Sequence, residues 1–389
     1  MKIVYFTTAQ DEKDYRSFMK IWKIPLNSSN QNFHNKLIRA IATNTPVEVI
    51  SVRPFSRHNT KVRGLDAEVK KEGNITWHYL SRKGTKIHRM LSISPQIAKI
   101  LSKIDLSDAI FLTDTINTSV VRAVTKIRKR FKRPIIGVCT DSPSNISGTK
   151  RSYTVYLLSR CNEFDGYLAL TNGLNDLFNP NYKPSYIFEG LVDEHEYETA
   201  SEKARPYFFF GGALMERYGV YKLIRAFKEL NNQDIDLYIC GHHGDKAKLN
   251  EEIGKAKNIK FLGLLPVNKV IEYEHNALAS INPRPFSEDL DRFSIPSKTL
   301  EYMSAGRPVI SVKNTILMER FGDDIIWVSS TSKEDLMEAM EKVLSMTEVE
   351  RENLGEKLKN KVLRLYSINH IGNNINQFLK QFLEQDVID

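Results

Sequence analysis

Residues 280–311 read SINPRPFSEDLDRFSIPSKTLEYMSAGRPVIS. The stretch opens on a short apolar run, breaks at Pro283 and Pro285 into a polar loop, and resumes at Pro296 with helical spacing. Gly306 and Pro308 stop that helix, and 309–311 restart as a strand. Strand, loop, helix and strand in this order form the repeating unit of a doubly wound parallel α/β sheet. Arg284, Glu288, Arg292, Ser294, Ile295, Ser297 and Lys298 lie in or beside the loop, and Glu301 lies in the first turns of the helix. A helix start presents free N–H groups and the positive end of a dipole, which suit a diphosphate. Pro296 can open such a helix because it has no N–H to leave unsatisfied. A carboxylate there can accept hydrogen bonds from the hydroxyls of a sugar.

The same grammar runs through the chain. Apolar, β-rich runs at 2–6, 47–52, 76–79, 109–112, 135–139, 166–169 and 186–188 alternate with amphipathic stretches at 30–43, 93–103, 118–133, 152–161 and 173–178. The pattern restarts with strands at 207–210, 237–240, 259–262, 279–281, 309–311 and 325–328, separated by helical stretches. The expected fold class is therefore α/β, with two Rossmann-like, doubly wound parallel-sheet domains. The charged, apolar-poor stretch 190–205 is their border. The expected domains are 1–190 and 191–366, with a helix over 367–389 whose apolar residues recur at helical spacing.

The 389 residues suffice for two cores. An apolar content of 41% and a charged content of 26% are those of a globular protein. No run approaches the roughly 18 apolar residues of a membrane span, and the opening MKIVYFTT reads as a first strand. Cys139, Cys161 and Cys240 each sit in or near an apolar run without a CxxC pair, so buried free thiols and a cytoplasmic setting are expected.

The net charge of +9 is unevenly spread. Residues 1–190 hold 30 Lys and Arg against 15 Asp and Glu, a balance of +15; the remainder holds 26 against 32, a balance of −6. The densest cluster, Arg122, Lys126, Arg128, Lys129, Arg130, Lys132 and Arg133, falls on one helix. Such a face suits an anionic membrane surface or serves as a solvated face. No nucleic-acid motif accompanies it.

In the second half, FFFGGALMERYGV at 208–220 is a strand followed by a glycine turn. Gly211 and Gly212 would let backbone approach a ligand closely. Gly241 and Gly244 close a similar turn after DIDLYIC. The adjacent His242 and His243 lack a third ligand at metal-binding spacing, so no metal is expected. In the first half, Asp141 and Asp114 follow strands and so lie at the ligand-binding edge of a parallel sheet, as acceptor-binding carboxylates or as loop caps. Asn30 is the expected cap of the helix at 30–43, and His34 is read as a surface or packed residue.

The 280–311 segment resembles the donor-site signature of family 4 glycosyltransferases of the GT-B fold, the "group 1" type that includes bacterial polysaccharide enzymes. Glu301, Ala305, Gly306, Pro308 and Val309 match its second glutamate and glycine-proline turn. The first glutamate, eight positions earlier, is replaced by Phe293, and the resemblance to the NPR…PSK…EY subgroup passes its role to Glu288. The family's usual Arg and Lys in the glycine turn are Ala213 and Tyr218 here, leaving Arg217 and Lys298 to supply positive charge.

The resemblance implies two domains facing across a cleft, an acceptor-binding first domain, a donor-binding second domain, and a last helix that returns to the first. It implies retention of configuration without a metal, and a nucleotide-sugar donor, with a UDP-sugar as first candidate. The acceptor would be a lipid-linked oligosaccharide at the inner face of a membrane. Lys298, Arg217, Glu288 and Asp141 become the catalytic candidates. Gly211, Gly212, Arg217, Gly263, Leu265, Ser294, Ile295, Lys298 and Glu301 become the donor-binding candidates, with backbone groups at 263–267 holding the base. Two alternatives stay open: a non-catalytic partner subunit, favoured by Ala213 and Tyr218, and a nucleotide-sugar epimerase of the same fold.

Overall fold

The computed structural model describes residues 1–22, 28–145, 151–194, 205–242 and 244–384. Contacts divide the chain into two compact units: Met1–Leu191 with Arg292–Ser294 and Ile368–Asp389, and Val192–Asp291 with Ile295–Ser367.

The first unit's strands are β1 (Lys2–Thr7), β2 (Val47–Ser51), β3 (Glu68–Glu72), β4 (Ile75–Tyr79), β5 (Ala109–Asp114), β6 (Ile135–Cys139), β7 (Gly166–Ala169) and β8 (Ser185–Ile187). Its helices are α1 (Glu12–Met19), α2 (Ser28–Ala42), α3 (Lys86–Leu91), α4 (Ile93–Leu101), α5 (Thr118–Phe131), α6 (Arg151–Cys161) and α7 (Asn172–Phe178). The sheet runs β3-β4-β2-β1-β5-β6-β7-β8 and is parallel except for β3, which pairs antiparallel with β4. The expectation of a wholly parallel sheet misses β3 because all five of its residues are exposed and carry no apolar alternation. Its mark is the turn at Gly73, where φ is +56°.

α1 lies in the long loop between the strand expected at 2–6 and the helix expected at 30–43. Asp11 caps it, its Oδ1 accepting from the N–H groups of Lys13 and Asp14. The proline-containing part of that loop, 23–27, lies outside the described residues, as do His243, most of the border stretch and residues 385–389. α2 starts at Ser28, two residues before Asn30, so Asn30 is not its cap.

Helices α4 to α7 cover one face of the sheet around Phe6, Phe111 and Val124. α2 covers the other face together with the last helix, α16 (Ile368–Glu384), around Tyr5, Ile41 and Ile375. Gly372 of α16 permits that packing: a Cβ there would lie 2.0 Å from the Ala40 carbonyl oxygen. The three cysteines are free and buried.

The second unit contains β9 (Tyr207–Ala213), α8 (Val220–Glu229), β10 (Asp236–His242), α9 (Lys246–Ile253), β11 (Ile259–Gly263), α10 (Val267–His275), β12 (Ala279–Asn282), α11 (Glu288–Phe293), α12 (Ser297–Ser304), β13 (Val309–Val312), α13 (Thr315–Phe321), β14 (Ile326–Val328), α14 (Lys333–Ser345) and α15 (Glu348–Tyr366). All its pairings are parallel, in the order β11-β10-β9-β12-β13-β14. This is the 3-2-1-4-5-6 Rossmann order, whose switch point lies between its first and fourth strands, here β9 and β12.

Candidate functional site

At the switch point the two strands part. β12 pairs with β9 at Phe208 and Phe209 only. Two residues further on, at Gly211, the Tyr302 hydroxyl of α12 takes over. It accepts from the Gly211 N–H at 2.9 Å and donates to the Gly211 carbonyl at 3.0 Å. This engages Gly211's backbone on that side and leaves Gly212, half-buried, as the next backbone at the strand end. At Gly212 a side chain would meet nothing nearer than Phe210 at 3.4 Å. The turn that follows reaches back to the β12 loop at Gly219. There φ is +80° and a Cβ would lie 1.9 Å from the Pro283 carbonyl oxygen, so only glycine fits. Gly241 plays the same part in β10: its φ is +142° and a Cβ would strike the Gly212 carbonyl at 1.7 Å.

α12 begins at Ser297, with Pro296 as its cap rather than its first helical residue. Pro296 offers no side-chain cap, and the Thr299 N–H donates to its carbonyl at 2.9 Å. The Asn282 amide donates to Thr299 Oγ1 at 2.8 Å and fixes the helix start against the end of β12. One turn in, Lys298 Nζ and Glu301 Oε2 form an ion pair at 2.9 Å, both partly exposed. Desolvation works to lower the Lys298 pKa, but the carboxylates of Glu301 and Glu274 outweigh it and hold the ammonium above the usual lysine value. Glu274, on α10 and only 3% exposed, carries no motif in the sequence; its proximity appears only in the fold. Beneath this cluster, burial pushes the Cys240 thiol up to about 12.

The loop after β12 forms a small pocket with the loop after β13. Asn282, Arg284, Pro285, Phe286, Asp291, Pro296, Val312, Lys313 and Asn314 line roughly 210 Å³ of empty space. Arg284 faces Asp291 at 3.8 Å, each side chain 15% exposed. Desolvation raises the Asp291 pKa, opposed by Arg284 and Asn314. Glu288, the carboxylate expected to act here, is exposed at the start of α11 and does not line the pocket. The helical register of α11 turns Asp291 inward in its place.

A family model described as "Glycosyl transferases group 1" matches residues 192–361. The match begins at the first residue of the second unit, Val192, and runs through most of it. No curated protein matches the chain by sequence. Among solved structures, it resembles sucrose-phosphate synthase (tll1590) from Thermosynechococcus elongatus, at TM-score 0.69 and 11% identity over 99% of this chain and 100% of that one. It also resembles Anabaena Alr3699/HepE in complex with UDP, at TM-score 0.68 and 12% identity over 98% and 100%. HepE in complex with UDP-glucose gives TM-score 0.66 at 12% identity over 98% and 100%. These likenesses establish the fold: two Rossmann-like parallel-sheet units of the GT-B type.

Arg217 is exposed in a single turn after β9, its guanidinium 5.1 Å from the Tyr218 ring. Gly263 ends β11 with φ +72°, a conformation that favours glycine, and Leu265 packs partly against the core. The Ile295 side chain is buried in that core, so only its backbone is available to a ligand. Ser294 groups with the first unit, as does Phe293, which packs against the first unit's core. That packing gives a physical reason for an aromatic residue where the family signature has a glutamate.

In the first unit, Asp141 lies just beyond β6 and accepts from the Ser142 N–H at 2.7 Å and from Asn145 Nδ2 at 3.4 Å. Asp114 is buried, accepts from the Ile116 N–H, and stands 3.6 Å from His34 Nε2. His34 is a packed core histidine, its Nδ1 2.6 Å from the Tyr5 hydroxyl.

Proposed function

We propose that the chain moves one sugar from a nucleotide-sugar, a UDP-sugar first, to a hydroxyl of a lipid-linked oligosaccharide in surface-polysaccharide synthesis. The observation that carries this reading is the Lys298–Glu301 pair in the first turns of the helix that Pro296 opens, at the switch point of the unit that the group 1 family matches. An ammonium and the N–H groups of a helix start neutralise the charge that develops on a departing nucleoside diphosphate. Glu301 accepts hydrogen bonds from the ribose hydroxyls, and Arg217 adds a second cation from the glycine turn. The pocket of Arg284 and Asp291 orients the transferred sugar.

In the transfer, the acceptor oxygen forms a bond to the anomeric carbon as the bond to the diphosphate oxygen breaks, with retained configuration and no divalent metal. The diphosphate leaves with the bonding electron pair and takes the proton that the acceptor hydroxyl gives up. Asp141 is the acceptor-binding carboxylate on the first unit. The complexes of HepE with UDP and UDP-glucose support the choice of nucleotide. The +15 balance of residues 1–190 supports action at the inner face of an anionic membrane.

The test is a thermal-shift screen of the purified chain with UDP, GDP, dTDP and ADP, followed by incubation with the matching nucleotide-sugars. One nucleotide at 100 times its dissociation constant should add about 2.7 kcal/mol of stability. Slow release of nucleotide and free sugar should accompany it. Binding without release points to the partner-subunit alternative, which the Ala213 and Tyr218 departures favour. Isomerised donor points to an epimerase. No shift with any nucleotide overturns the reading.

A further inference from the structure

The short helix α3 has its polarity reversed. Its Arg89 turns inward, 7% exposed, where Nη1 donates to the Gly84 carbonyl at 2.6 Å and the guanidinium lies 4.8 Å from the Phe55 ring. Its apolar residues face out: Ile87 is 66% exposed, Leu91 55% and Met90 46%. A helix that buries its arginine and exposes three large apolar side chains is not arranged for water.

The surroundings carry one sign of charge. α3 packs on α4, α4 on α5 and α5 on α6, and these four helices hold ten Lys and Arg and no Asp or Glu. The cationic stripe of α5 starts at the apolar tip. Arg122 Nη1 lies 3.9 Å from Met90 Sδ, and Lys126, Lys129 and Arg130 follow at helical spacing, all three exposed. Arg128 is tied down instead, its Nη2 2.6 Å from Asp165. Lys83 and Lys86 stand exposed on the other side of the tip, Lys83 paired with Asp66.

We propose that α3 is a membrane-docking element whose Ile87, Met90 and Leu91 enter the headgroup region of an anionic bilayer while Lys86, Lys126, Lys129 and Arg130 hold the lipid phosphates. Apolar side chains ringed by cations match a surface that is apolar within and negative at its face. Among the described residues no helix is long and apolar enough to cross a membrane, so the attachment is lateral. The proposal deepens the membrane-surface reading above by assigning it to named residues, and it shifts the anchor from the α5 cluster alone to α3 with α5.

The test is sedimentation of the full chain with vesicles of phosphatidylcholine alone and of equal parts phosphatidylcholine and phosphatidylglycerol, without donor or acceptor. The chain should bind the anionic vesicles, and added salt should weaken that binding. The variant I87S/M90S/L91S should keep the wild-type unfolding midpoint and bind about tenfold more weakly. K126A should cost roughly fivefold. If the triple variant does not fold, Lys126→Ala and Lys129→Ala carry the test. Failure to bind, equal binding to both vesicle types, undiminished binding by the triple variant, or capture of a DNA duplex in preference to vesicles each overturns the proposal. These outcomes leave the transferase reading standing, because no sugar transfer is measured.

Discussion

The Tyr302 hydroxyl and the Gly211 peptide group hold each other by two hydrogen bonds, at 2.9 and 3.0 Å, where β9 has lost its neighbour β12. A side chain thus continues a ladder that the backbone abandons. Tyr302→Phe would leave a buried N–H and a buried C=O unsatisfied. The expected loss is about 1–3 kcal/mol for each orphaned group, read as a lower urea midpoint with an unchanged slope.

Gly219 should tolerate no side chain. With φ at +80° and the Pro283 carbonyl 1.9 Å from a Cβ, Gly219→Ala must displace either the glycine turn or the β12 loop. A destabilisation of roughly 2–3 kcal/mol is expected. Nucleotide affinity should fall with it. Wild-type stability in G219A would show that the two loops do not rely on this approach.

Lys298→Ala should lower turnover by about 10²-fold, the scale for losing one preorganised group that stabilises developing negative charge. Donor affinity should fall less. A larger effect on KM than on kcat would assign Lys298 to ground-state binding instead.

Glu288 and Asp291 can be told apart. Asp291 lines the pocket and faces Arg284, whereas Glu288 is exposed. Asp291→Asn should lower turnover by about tenfold or more while Glu288→Gln stays near wild type, within the roughly ±0.5 kcal/mol usual for surface changes. The reverse order in steady-state assays would return the role to Glu288.

His34 makes the first unit sensitive to acid. Burial lowers its pKa, and Asp114 opposes this only in part. A buried histidine that resists protonation contributes fully above the unfolded value of about 6.5, and stability falls as pH drops below it, by up to about 1.4 kcal/mol per pH unit. The protection of the Leu37 and Ile41 amides, with observed exchange referred to the intrinsic rate at each pH, should therefore fall between pH 7 and pH 5.5. His34→Gln should flatten that response.

Much of this was legible in the residues themselves. Period-two and period-3.6 patterns marked the central strands and the helices packed on them, because each buries one side against a core. β3, whose five residues are all exposed, has no such side, and α1 fully buries only Phe18 beyond its Asp11 cap, so periodicity passed over both. At the site, Lys298, Glu301 and the glycine turn stood out through spacing along the chain. Glu274 and Asn314 did not, because they approach through α10 and β13, from strands adjacent only in the folded sheet. Within the acidic loop, the choice between Glu288 and Asp291 depends on the register of α11, which spacing along the chain leaves open.

The first unit is closed by residues made only after the second unit. α16 lays Ile371, Ile375 and Leu379 over the face that α2 presents, with Gly372 against Ala40. A ribosome must therefore pass through the whole second unit before that face can be sealed. During synthesis the waiting surface of Leu37, Ile38 and Ile41 is a natural client for a holding chaperone. A recombinant fragment that ends near residue 190 would inherit the same bare, aggregation-prone side.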